Sequence, residues 1–378
     1  MRFTRIKLEN WRNFLNVEVR LERRAFLVGP NASGKSNFLD AFRFLRDIAD
    51  PQGGFQWAVD TKRGGVSQIR SLHARRYSNI TIEVDVLLES AGVWTYRLEF
   101  NQDNLKRPIL RRELVKHGDE ILRERPDPED KGDEKRLTQT HLEQLHANKS
   151  FRELQEFLAR VRYLHIVPQL VREPDRSVGR ARDPYGGDFL EQLASSSKKT
   201  LNARLRRITD ALKIAVPQLE KLELHRDAKG VPHLRGLYKH WRPRAGWQTE
   251  EQFSDGTLRL LGLLWVLLDG DHPLLLEEPE LSLHPEVIRH LPAMMARIGR
   301  KSARQVLVST HSADLLTDEG IAPEEVLFLE VTPEDTKVHR ASDDRQIMAL
   351  YEQKVPMAEA VLPRTAPQGA QQLSLFGA

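Results

Sequence analysis

The sequence predicts an α/β fold in which a mixed-sheet lobe and a mainly parallel core sheet flanked by helices are joined by a helical insertion. Three observations carry that prediction. A short apolar strand, Ala25-Phe-Leu-Val28, enters a glycine-bounded loop and then an amphipathic helix. Helical and strand patterns alternate between residues 257 and 331, the order that parallel sheets require. A chain of 378 residues with 40% hydrophobic and 30% charged side chains can bury a sizeable core, yet exceeds one ordinary compact domain.

The elements follow in order. Residues 4–9 and 17–21 alternate apolar and polar around a turn at 10–16, which is a hairpin pattern. Phe38, Leu39, Phe42, Leu45 and Ile48 then recur at helical spacing. Residues 79–89 and 93–100 form a second antiparallel pair, closing a first lobe over residues 1–110. Residues 111–217 read as a helical and irregular insertion. Its stretch 123–148 is rich in Pro, Asp, Glu and Lys and poor in large apolar residues, so an exposed connection is expected. Helical periodicity resumes at 151–163 and 189–212, and no heptad run supports a coiled-coil arm. Residues 218–353 form the second lobe: a hairpin over 218–239, a helix at 257–268, a strand at 273–277, a helix at 285–298, and strands at 305–309 and 325–331. Residues 354–378, rich in Pro, Ala, Gln and Gly, read as a flexible tail.

Composition excludes several classes. Without cysteine there are no disulfides, cysteine zinc sites, iron–sulfur clusters or thiol nucleophiles. The longest apolar stretch, 258–268, contains Arg259 and is too short for a bilayer, and the first residues lack the apolar core of a secretory signal. A cytoplasmic chain with no membrane partner is expected. The formal charge of +4 permits contact with nucleic acid without arguing for it.

Four motifs carry chemistry. Gly29, Pro30, Asn31, Ala32, Ser33, Gly34, Lys35 and Ser36 fit G-x-x-x-x-G-K-S, with Asn37 beginning the helix behind it. Glycines let backbone N–H groups close around phosphate oxygens, Lys35 supplies charge to the terminal phosphates, and Ser36 coordinates magnesium. Second, the apolar run Leu274-Leu-Leu276 ends in Glu277-Glu278-Pro279-Glu280. One carboxylate there suits the metal, assigned to Glu277, and the next suits the attacking water, assigned to Glu278. Third, Val306-Leu-Val-Ser-Thr310 leads into His311, a side chain suited to contacting a terminal phosphate. Fourth, Ser254 and Gly256 at the start of an apolar helix make a small anion-binding nest, although a plain helix cap would look the same.

Taken in this order, the motifs resemble the ABC-type ATPase heads of the SMC and RecF group, near the short RecF-like and OLD-family ATPases. Ile6-Lys-Leu-Glu-Asn-Trp-Arg-Asn-Phe14 is similar to that group's first strand and turn. Ser254-Asp-Gly-Thr257 is similar to its signature, Glu277 to Pro285 to its Walker B motif and D-loop, and His311 to its switch histidine. The resemblance implies a P-loop ATPase that uses ATP and Mg2+. It implies a head-to-tail homodimer, with each ATP lying between the Walker motifs of one subunit and the signature of the other. DNA, and a nucleoid-associated role in repair, replication or recombination, is the implied context; a sensor partnered by a separate nuclease or effector in anti-phage defence is the alternative, and an ATP-gated regulator without catalysis a third. Two departures stand out. Glu277 replaces the group's usual aspartate, and the Q-loop glutamine that would help hold the metal is either Gln169 or Gln68. With only about 50 residues after Leu329, a C-terminal Toprim-like nuclease region is not expected in this chain.

The tail ends in Gln372, Leu373, Ser374, Leu375 and Phe376, which resembles the bacterial sliding-clamp-binding pentapeptide. A glutamine amide gives directional hydrogen bonds while Leu375 and Phe376 can fill an apolar pocket on the clamp. Residues 354–370, as a coil, would span roughly 20–25 Å.

Overall fold

The computed structural model describes residues 1–74, 78–88, 92–173, 183–241, 246–366 and 372. The sequence builds three sheets. In the first, the spatial order is Phe14–Arg20, Arg2–Trp11, Ile80–Leu88, Gly92–Gln102, Pro108–His117 and Glu120–Arg125, every neighbour antiparallel. All but the edge strand Glu120–Arg125 turn alternate apolar residues onto one face, and these share a core with the helix Lys35–Ala49. The opening hairpin is tighter than its spacing suggests, because Trp11 pairs with Phe14 across a two-residue turn.

The second sheet runs Thr336–Arg340, Val326–Val331, Arg24–Val28, Val306–Thr310, Leu274–Glu277, Arg162–Leu164. Its neighbours are parallel except for the antiparallel edge strand Thr336–Arg340. The strand leading to the glycine loop is therefore central, the strand ending at Thr310 lies beside it, and the strand ending at Glu277 lies next beyond that one. The near-continuous apolar runs at 274–276 and 306–308 fit a parallel sheet covered on both faces. One face meets the first core and the other meets the apolar helix Asp255–Leu267. A third sheet, Trp247–Thr249, Pro232–Tyr238 and Leu219–Arg226, packs on the helix Lys198–Ala215 through Leu222 and Leu234.

Several local expectations are corrected. The 123–148 stretch is a built structure, with Arg125, Asp130, His141 and Asn148 all buried. Arg125 donates to both oxygens of Asp130, at 2.8 and 2.7 Å, and to Glu113 at 3.3 Å. Charges that satisfy one another look, in composition alone, like charges that face water. Residues 151–163 divide into the helix Arg152–Ala159 and a strand that joins the parallel sheet, while 189–212 and 285–298 each divide into two helices. The tail is not flexible from its start: Met357–Thr365 is a helix that buries Met357, Ala358, Ala360 and Val361. No helix among the described residues is long and apolar enough to cross a membrane.

Candidate nucleotide site

The loop Gly29–Gly34 joins the central strand to the helix Lys35–Ala49. No side chain caps that helix and its first turn carries no acid, so among the described residues no capping side chain competes with an anion for its N-terminal amides. Gly34 has φ +98°, and a Cβ there would lie 2.2 Å from the Asn13 amide nitrogen. Only glycine satisfies both constraints. Asn13 fixes the loop from outside: its Nδ2 donates to the Ser33 carbonyl at 2.8 Å and to Thr336 Oγ1 at 2.7 Å, while its Oδ1 accepts from Asn37 at 2.9 Å.

Lys35 is buried, and its ammonium donates to the carbonyls of Gly29 and Pro30 at 3.0 and 3.1 Å. Burial lowers its pKa to about 8, against the upward pull of Glu278, Glu277 and Glu280. The Ser36 hydroxyl hydrogen-bonds to one oxygen of Glu277 and the Tyr163 hydroxyl to the other. His165 Nδ1 lies 3.2 Å from the Glu277 carbonyl, and the Arg43 guanidinium sits 4.0 Å from the centre of the Tyr163 ring.

Glu278 has φ +44°, a strained backbone for a side chain of its size, and its N–H donates to the Ser309 carbonyl at 3.0 Å. Its Oε1 lies 3.2 Å from His311 Nε2. Burial lowers the His311 pKa, the Lys35 charge adds to that effect, and Glu278 opposes it. Glu280 accepts from the Thr310 hydroxyl and the His311 amide.

The structure thus brings together Lys35, Ser36, Glu277, Glu278 and His311. Ser254 accepts from the Thr257 amide as an N-cap, and Gly256 lies so near the acidic turn that a Cβ would meet the Ser282 carbonyl at 2.4 Å. No hydrogen bond or ion pair among the described residues joins either to the glycine loop. Gln169 is exposed on the short helix Pro168–Arg172, and Gln68 is exposed on Val66–Ile69. Neither side chain bonds Ser36 or Glu277 among the described residues; Tyr163 and His165, just upstream of Gln169, hold that place instead. Sequence reasoning missed Asn13, Tyr163, His165 and Glu280. Each lies inside a quoted motif or beside one, but only the sheet register shows what it touches. Gln372 is exposed, and Leu373, Ser374, Leu375 and Phe376 lie outside the described residues.

The donor set fits a magnesium ion. Hydroxyl and carboxylate oxygens already meet at Ser36 and Glu277, and magnesium bound through one or two protein oxygens plus phosphates needs no dedicated cage. Among the described residues no three His, Asp or Glu side chains form such a cage.

Residues 24–318, from the central strand through His311, match the family model described as "AAA domain, putative AbiEii toxin, Type IV TA system". The chain belongs to this family. Other similarities are partial. The chain is 42% identical to Endonuclease GajA of Bacillus cereus (strain VD045) over 55 residues, 15% of this chain and 10% of that protein. It is 31% identical to the DNA replication and repair protein RecF of Synechocystis sp. (strain ATCC 27184 / PCC 6803 / Kazusa) over 103 residues, 27% of this chain and 26% of that one. The matches thus span about a quarter or less of these relatives' length. In fold, this AAA-domain chain is similar to an SMC head solved with the C-winged helix domain of ScpA: TM-score 0.58, 12% identity, over 90% of this chain and 98% of that one. The fold is accordingly the P-loop architecture of ABC-type heads, with mixed sheets flanked by helices.

Proposed function

We propose that this chain binds and hydrolyses ATP with Mg2+, dimerises on ATP, and acts on DNA in bacterial repair, replication or recombination. The observation that carries the ATPase reading is the Glu278–His311 pair, set at the ends of adjacent strands beside Lys35 and the Ser36–Glu277 bond. The loop amides and Lys35 hold the phosphates, and Ser36 and Glu277 hold the metal, which neutralises charge on the phosphate oxygens. Glu278 orients the attacking water and takes its proton as the new O–P bond forms and the bond to the leaving diphosphate breaks. His311 contacts the terminal phosphate. Ser254 and Gly256 act on the nucleotide of the second subunit, consistent with their lack of bonds to this chain's own loop.

DNA association is supported by the helix Lys198–Ala215. It buries Leu201, Leu205, Ile208 and Leu212 and exposes Lys199, Arg206 and Lys213 at seven-residue spacing, with Arg207 alongside. None of these four cations is in an ion pair among the described residues, whereas Arg204 on the inner side pairs with Asp269. A face that presents these cations, with the carboxylate of Asp210 among them, fits a phosphate backbone. The last residues tether the protein to the sliding clamp. Phosphate release by the purified chain, with and without duplex DNA, tests the enzyme; absence of Mg2+-dependent release sinks it. For the tether, deleting Leu375 and Phe376 is expected to abolish capture of the purified clamp, and equal capture before and after disposes of that partner.

A second reading, a sensor subunit that licenses a separate nuclease or toxin in anti-phage defence, draws on the family's description and on the segment shared with an endonuclease. A nuclease gene beside this one favours it.

A further inference from the structure

Glu280 stands two residues beyond Glu278 in the acidic turn and is 7% exposed. Its Oε1 accepts from the Thr310 hydroxyl at 2.5 Å and from the His311 amide at 3.2 Å. Its Oε2 is buried with no hydrogen-bond partner among the described residues. An apolar side chain would fill this place without an orphan oxygen, so stability alone does not account for a glutamate here. Burial raises its pKa, with the Glu278 charge acting in the same direction. The contact continues outward: the Ser312 amide donates to the Thr310 hydroxyl at 3.0 Å, and the Ser312 hydroxyl caps the helix Ala313–Leu316.

These bonds close a ring. Glu278 faces the His311 imidazole, the chain runs from Glu278 through Pro279 to Glu280, and Glu280 holds the His311 backbone. We propose, resting on the ATPase reading above, that Glu280 is a positioning residue for hydrolysis: its carboxylate locks the His311 peptide to the acidic turn, so that imidazole and base move as one unit. Glu280 acts through the bonds it makes to Thr310 and to the His311 peptide. Its effect is therefore on turnover and not on nucleotide affinity.

The test compares the full-length wild type with Glu280→Gln, Glu280→Ala and Thr310→Val, measuring kcat, KM, binding of a fluorescent ATP analogue and thermal unfolding on the same samples. The amide oxygen of Glu280→Gln can still accept both hydrogen bonds, so kcat stays within about threefold. Glu280→Ala loses about 10- to 100-fold in kcat at unchanged nucleotide affinity. Thr310→Val, which leaves the acidic turn intact, loses about 3- to 10-fold and decides the matter if Glu280→Ala does not fold. Wild-type kcat in Glu280→Ala or Thr310→Val overturns the role, as does a Gln variant as slow as the Ala variant, or affinity falling in step with kcat. A wild-type chain that binds ATP without turnover overturns the ATPase reading as well.

Discussion

His311 Nε2 lies 3.2 Å from Glu278 Oε1, across the ends of two parallel strands whose register pairs Glu277 with Ser309. If Glu278 is the base, it can orient a water only while both strand ends hold their places. Glu278→Gln keeps the shape and loses the base. It is expected to bind ATP normally, lose at least about 100-fold in turnover, and accumulate as a dimer. Phosphate release and size-exclusion chromatography with ATP check both, and undiminished hydrolysis would falsify the assignment.

Lys35→Ala is expected to abolish nucleotide binding, and wild-type affinity should depend on pH in a defined direction. The Lys35 pKa is about 8, below its ordinary 10.5, so the nucleotide-free folded state holds fewer protons than the unfolded chain between those values. Its stability contribution thus rises with pH across that window. ATP affinity runs the other way, falling as pH rises past about 8, because phosphate binding must restore the charge. Calorimetry in buffers of different ionisation enthalpy should show proton uptake on binding at pH 8 to 9; no uptake there would contradict the buried-lysine account.

If the stripe on the helix Lys198–Ala215 follows a phosphate backbone, each cation lost should flatten the salt dependence. Replacing Arg206, Arg207 and Lys213 together by alanine is expected to lower the slope of log K against log salt by about 2 to 3 for duplex DNA, without changing ATP binding. An unchanged slope by fluorescence anisotropy removes this helix from the interface.

Arg125 is 1% exposed and serves Asp130, Glu113 and the carbonyls of Arg136 and Gln139. Arg125→Met leaves the buried Glu113 without its cation and Asp130 with only Arg136, 3.1 Å away, at a cost of about 3–5 kcal/mol. Urea unfolding should show a midpoint well below wild type. A midpoint within error of wild type would mean that water, and not Arg125, satisfies the cluster.

The glycine loop, the acidic pair and the histidine were legible because each ends an uninterrupted apolar strand, and strand order in a parallel sheet brings such ends together. The Arg125 network was not legible, since composition cannot distinguish charges that neutralise one another from charges that face solvent. Gln169 illustrates a second limit. Its neighbours Tyr163 and His165 reach Glu277 because the strand Arg162–Leu164 pairs in register with Leu274–Leu276. A strand of three residues leaves almost no periodicity to read.

By itself, the sequence determined the fold class and which residues are candidates for phosphate chemistry, because local spacing dictates a strand, a glycine turn and a helix start wherever they occur. Tertiary structure decided which groups share a proton or a hydrogen bond: Tyr163 on Glu277, Glu280 on the His311 peptide, Asn13 on the loop beside Gly34. Those pairings depend on register between strands far apart in the chain, and register is set by the packing of two whole cores rather than by any local pattern.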